Sequence, residues 1–100
     1  MAQEQTSIRE RQRTDLREPR LYKVYIHNDD FTPMEFVVMI LMTVFHKPNA
    51  EATSLMLKVH HSDKAVVGVY TYDMAVTKAT RAKQMAEQEG YPLRITYEPD

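Results

Sequence analysis

The chain has 100 residues, 43% of them hydrophobic and 27% charged, with a formal net charge of −1. That length allows one domain with a single modest core, and the near-neutral charge disfavours a nucleic-acid partner held by bulk electrostatics. The lack of cysteine excludes disulfides, thiolate nucleophiles and cysteine-based zinc sites, and no run approaches the roughly 18 apolar residues that span a bilayer.

Residues 1–19 carry only Ile8 and Leu16 among charges and amides. They cannot bury enough surface to offset ordering entropy, so a flexible N-terminal tail is expected, followed by a core domain over 20–100. The polar N-terminus is unlike the apolar segment of a signal peptide, and a cytoplasmic protein is the simple expectation.

LYKVYIH (21–27) alternates and is rich in β-branched and aromatic residues, which predicts a strand. NDDF breaks it with turn-forming residues. In TPMEFVVMILMTVFH the apolar run alone does not distinguish strand from helix. Thr32 as N-cap, Pro33 at the first helical position and Glu35 completing a capping box predict a helix over 33–46. It is apolar on every face over 36–42, so part of it should line a binding surface.

KPN makes a loop with Asn49 as a cap, and Ala52, Leu55, Met56 and Val59 predict a second helix over 50–61. AVVGVYTY (65–72) predicts a second strand. Asp73 reads as the N-cap of a third helix over 74–89, whose Ala75, Ala79, Ala82 and Ala86 form a small-residue stripe ended by Gly90. LRITYEP (93–99) predicts the last strand. The fold class is therefore α+β, ordered β-α-α-β-α-β, with a three-stranded antiparallel sheet covered by three helices.

The serines lack a nucleophile elbow, and no glycine-rich phosphate loop is present. His60 and His61 are adjacent and so diverge by about 100° on a helix, which argues against a metal site. No cofactor is expected. Asn28, Asp29 and Asp30 read, taken alone, as turn and capping residues. If the first two helices pack antiparallel through HKPN, however, Asn28–Asp30 and Met34 come close to His60, one helical turn from Met56. An amide, a carboxylate and a neutral imidazole over an apolar pocket of Met34, Val37 and Met56 suit an ammonium attached to a large hydrophobic group. A free peptide N-terminus and an aromatic amine both meet that description.

NDDFTPMEFV (28–37), LMLKVH (55–60), KAVVGVYT with the following A-x-T-K (75–78), and PLRITYE (92–98) together resemble the ClpS family, adaptors of the bacterial N-degron pathway. The resemblance covers residues 21–98. It implies a non-enzymatic, monomeric adaptor that binds peptides beginning with Leu, Phe, Tyr or Trp and delivers them to an AAA+ unfoldase of the Clp protease, ClpA or ClpC. It assigns the α-amino group to Asn28, Asp30 and His60. It assigns the side-chain pocket to Asp29, Thr32, Met34, Val37, Met56 and Leu93, with Met34 as a gate against β-branched first residues. Asp73, Thr77 and Lys78 correspond to the unfoldase-docking strip, in which Val76 stands where the family usually has glutamate. The tail resembles an extension needed for delivery. Two other readings compete: a small hydrolase using Asp29, Asp30 and His60 as acid and base groups, and an interaction module without a pocket.

Overall fold

The computed structural model describes residues 20–100; the expected tail over 1–19 lies outside the described residues. Six elements follow in the expected order: β1 (Leu21–His27), α1 (Met34–Thr43), α2 (Asn49–Ser62), β2 (Lys64–Thr71), α3 (Tyr72–Glu89) and β3 (Arg94–Pro99). The sheet order is β2-β1-β3, and both pairings are antiparallel.

β1 is central, so both its edges are paired. Its alternation decides the faces. Val24 and Ile26 are completely buried toward the helices, whereas Lys23, Tyr25 and His27 lie half-buried on the open face. Ile26 sits opposite Ala65 on β2 and Ile95 on β3. Between the pairs Val24–Gly68 and Tyr25–Val66, β2 carries one extra residue, a bulge at Val67. It keeps both Ala65 and Val67 inside the core.

α1 buries Phe36, Val37, Ile40 and Leu41, and the apolar run ends inside with Val44 and Phe45. The helix stops three residues before its expected end. His46 takes a left-handed conformation (φ 56°), and the Lys47 N–H closes the turn on the Leu41 carbonyl at 3.0 Å. The expected alanine stripe on α3 is entirely buried, which lets that helix lie close over the sheet. α3 ends in a Schellman arrangement: Gly90 adopts φ 78° and donates to the Glu87 carbonyl, while the Tyr91 N–H donates to that of Ala86.

Three capping expectations are corrected. The Thr32 hydroxyl does not cap α1; Pro33 occupies that position, and its carbonyl accepts from the Phe36 and Val37 N–H groups. Asn49 is the first residue of α2 rather than its cap. Asp73 lies inside the first turn of α3, with Thr71 as the N-cap residue, so its charge faces the positive helix end without a capping hydrogen bond.

Candidate amine-binding cavity

The loop from β1 to α1 is shaped by one carboxylate. Asp29 Oδ1 accepts from the Phe31 N–H at 2.8 Å and the Thr32 N–H at 2.7 Å, while Oδ2 accepts from the Thr32 hydroxyl at 2.7 Å. Asp and Asn favour such local bonding, which competes with helix caps. Partial burial raises the Asp29 pKa, and the three hydrogen bonds outweigh that effect, leaving it below the usual aspartate value. The loop's other end is tied to the end of α2: the Asn28 N–H donates to the Asp63 carbonyl at 2.6 Å, with Asp63 held at φ 73°.

This anchoring brings the start of α1 beside the end of α2, as antiparallel packing of the two helices requires. Between them lies a cavity of about 330 Å³. Val37 and Val59, both nearly fully buried, and the half-buried Met56 give it an apolar lining. Met34, 44% exposed, stands on its wall. Asn28, Asp30 and His60 also line it and are exposed to solvent. The His60 ring packs edge-on against His61, with centroids 5.5 Å apart. The cavity thus combines an amide, a carboxylate and an imidazole with a greasy interior, a donor–acceptor set suited to an ammonium next to a hydrophobic group.

Of the pocket residues expected from the sequence, Asp29, Thr32, Met34, Val37 and Met56 line the cavity. Leu93 does not. It is buried in the hydrophobic core just before β3 and is not among the lining residues. His27, Phe31, Pro33 and Val59 line the cavity without having been singled out. Val59 was legible, since it precedes His60 and shares the helical spacing of Ala52, Leu55 and Met56. Phe31, 76% exposed, had no periodicity to betray it.

The second cluster sits elsewhere. Asp73 and Thr77 are exposed near the start of α3. Lys78 is half-buried: its Nζ donates to the Val44 carbonyl at 3.0 Å and lies 5.6 Å from the centroid of the Tyr70 ring. Val44 follows the end of α1, whereas Met34 begins it, so the two clusters lie at opposite ends of a helix about 15 Å long.

A three-stranded sheet with a helical layer on one face and a cavity at the helix ends makes a small α+β domain. The family described as ATP-dependent Clp protease adaptor protein ClpS matches residues 17–96. The chain belongs to this family, the ClpS adaptors of the Clp protease. It is 57% identical over 79 residues to the ATP-dependent Clp protease adapter protein ClpS of Syntrophus aciditrophicus, covering 79% of this chain and 74% of that protein. It is 47% identical to its counterpart from Acetivibrio thermocellus over 97 residues, 97% of this chain and 98% of the relative. Among solved structures it is similar to Agrobacterium tumefaciens ClpS2 bound to L-phenylalaninamide, with a TM-score of 0.80 and 41% identity, covering 82% of this chain and 99% of the other. Among the described residues, no helix is long and apolar enough to cross a membrane.

Proposed function

We propose that this adaptor recognises proteins by a bulky hydrophobic N-terminal residue (Leu, Phe, Tyr or Trp) and hands them to the ClpA or ClpC unfoldase. The observation that carries the reading is the meeting of Asn28, Asp30 and His60 with Met34, Val37 and Met56 around one cavity. The α-ammonium donates to the Asn28 oxygen, the Asp30 carboxylate and the neutral His60 nitrogen, and the first side chain enters the apolar interior. The phenylalaninamide bound by the Agrobacterium relative carries both features, a free amine beside a benzyl group.

The energetics require both halves. Burying a Leu or Phe side chain contributes about 1.5–3 kcal/mol, and a hydrogen bond to a charged group contributes about the same. Association is itself costly, so micromolar binding, about −8 kcal/mol, needs the side chain and the ammonium together. Asp29 serves as the loop's organiser: with both oxygens engaged it leaves Asp30 as the carboxylate available to the ligand. Asp73 and Thr77 remain accessible for the unfoldase.

The depressed Asp29 carboxyl is a poor fit to the hydrolase reading, being ionised when an acid is needed and weakened as a base. Titration of a fluorescent Phe-initiated peptide tests the choice. Saturable binding, weakened by Asn28→Ala or His60→Ala and accompanied by no hydrolysis, supports the adaptor; turnover of the peptide contradicts it.

A further inference from the structure

Asn28 and His60 belong to different elements, and one residue, Asp63, adjoins both. α2 ends at Ser62 and β2 begins at Lys64, so Asp63 alone joins helix to strand. An α-helical φ there would prolong α2. Asp63 instead takes φ 73° and ψ −35°, which turns the chain within one residue. Lys64 then lies opposite His27, the last strand pair of β1 and β2. The Asn28 N–H donates to the Asp63 carbonyl at 2.6 Å, which extends that ladder by one position onto a residue that lines the cavity. On the other side, His60 stands three residues before Asp63 in the last turn of α2.

This conformation is costly for a residue that carries a Cβ. The ψ of Asp63 lies outside the left-handed helical region, where ψ is about +30 to +60°, and toward the strained γ-turn geometry. The carboxylate does not account for it. The side chain is exposed, forms no ion pair among the described residues and does not line the cavity. Strained backbone persists where its surroundings over-determine it, and it clusters at ligand clamps. Here the surroundings are α2, anchored by the buried Val59, on one side and the β1–β2 pairing on the other.

We infer that Asp63 is a positioning residue for the ammonium site: its backbone, not its carboxylate, holds Asn28 against His60 so that both accept from one amine. This role rests on the reading of the cavity as an ammonium site and supplies the element that sets its spacing. A right-handed or extended Asp63 would swing its carbonyl away from Asn28 and release the loop from the end of α2. Asn28 would then keep its amide but lose its place opposite His60.

The test is fluorescence anisotropy with a Phe-initiated peptide and its N-acetylated twin, on the full chain and its Asp63 variants. Glycine and asparagine tolerate a positive φ, so Asp63→Gly and Asp63→Asn should bind the free peptide within about twofold of the parent. Valine does not tolerate it. Asp63→Val should weaken the free peptide about tenfold, the loss of one hydrogen bond to the charged amine. In an Asn28→Ala background the same change should cost nothing further, because Asp63 acts through Asn28. A general loosening of the fold would instead weaken binding equally in both backgrounds, and that result overturns the inference. So does parental affinity in Asp63→Val, or in Asp63→Ala if the valine variant does not fold. Equal losses in the asparagine, glycine and valine variants would assign the effect to the carboxylate and overturn it too. In each of these cases the cavity reading stands as long as the parent prefers the free peptide to its acetylated twin. If the parent binds the two alike, the cavity reading falls, and the role of Asp63 falls with it.

Discussion

Thr32 gives both its backbone N–H and its hydroxyl to a single carboxylate, that of Asp29, at 2.7 Å each. This pair, with the Phe31 N–H as third donor, fixes the loop that carries Asn28 and Asp30 to the cavity. Asp29→Asn keeps the size but removes the charge and one acceptor. It should cost about 1 kcal/mol at neutral pH, since a partly exposed site returns less than three full hydrogen bonds. The sign of the pH dependence follows from the depressed pKa. The Asp29 contribution is complete above the ordinary aspartate value, about 3.9, and disappears as pH falls through the lower folded value. Urea denaturation of parent and variant should therefore differ at pH 7 and converge in strong acid. An equal gap at both pH values would contradict this assignment.

Met34 stands on the cavity wall with 44% of its surface exposed. Truncating it should cost far less stability than a fully buried methionine, for which about 2–5 kcal/mol is typical. As a gate it would reject β-branched first residues by filling the space beside their Cβ. Met34→Ala should raise the affinity of an Ile-initiated peptide about tenfold, which corresponds to about 1.4 kcal/mol. Unchanged rejection of Ile, measured by anisotropy, would remove Met34 from that role.

Lys78 is tied to the Val44 carbonyl, one of the acceptors left over at the end of α1. The residue that the family resemblance places in a docking strip therefore also holds the far end of the cavity's helix. Lys78→Met keeps most of the stem and removes the donor. A loss of about 1 kcal/mol should lower the melting temperature by roughly 4–8 °C. An unchanged melting temperature would leave Lys78 as a surface contact only.

Gly90 closes α3 at φ 78°, with open space where a Cβ would project. Gly90→Ala meets no clash, and its cost is the left-handed backbone alone, about 1 kcal/mol. A thermal melt should register this small loss, and no loss would mean that the Schellman closure contributes little.

The elements and their order were legible because long-range packing here agrees with local pattern. The alternation of β1 and the four alanines of α3 each mark the face that is buried. The caps differ from expectation at Thr32, Asn49 and Asp73. The last two fall inside their helices. A Ser, Thr, Asn or Asp near a helix start has several partners within reach, and for Thr32 the winner is Asp29, three residues back. The cavity's two polar halves were legible once the helices were assumed antiparallel. The tie from Asn28 to Asp63, by contrast, is a backbone bond between residues 35 positions apart, and no side-chain pattern announces it.

The central claim is that a free α-ammonium is read together with the first side chain. Anisotropy with a Phe-initiated peptide and its N-acetylated twin measures this most directly. The account predicts saturable binding of the free peptide and a loss of at least about a hundredfold on acetylation, equivalent to roughly two hydrogen bonds to a charged group. Equal binding of the two peptides would contradict it.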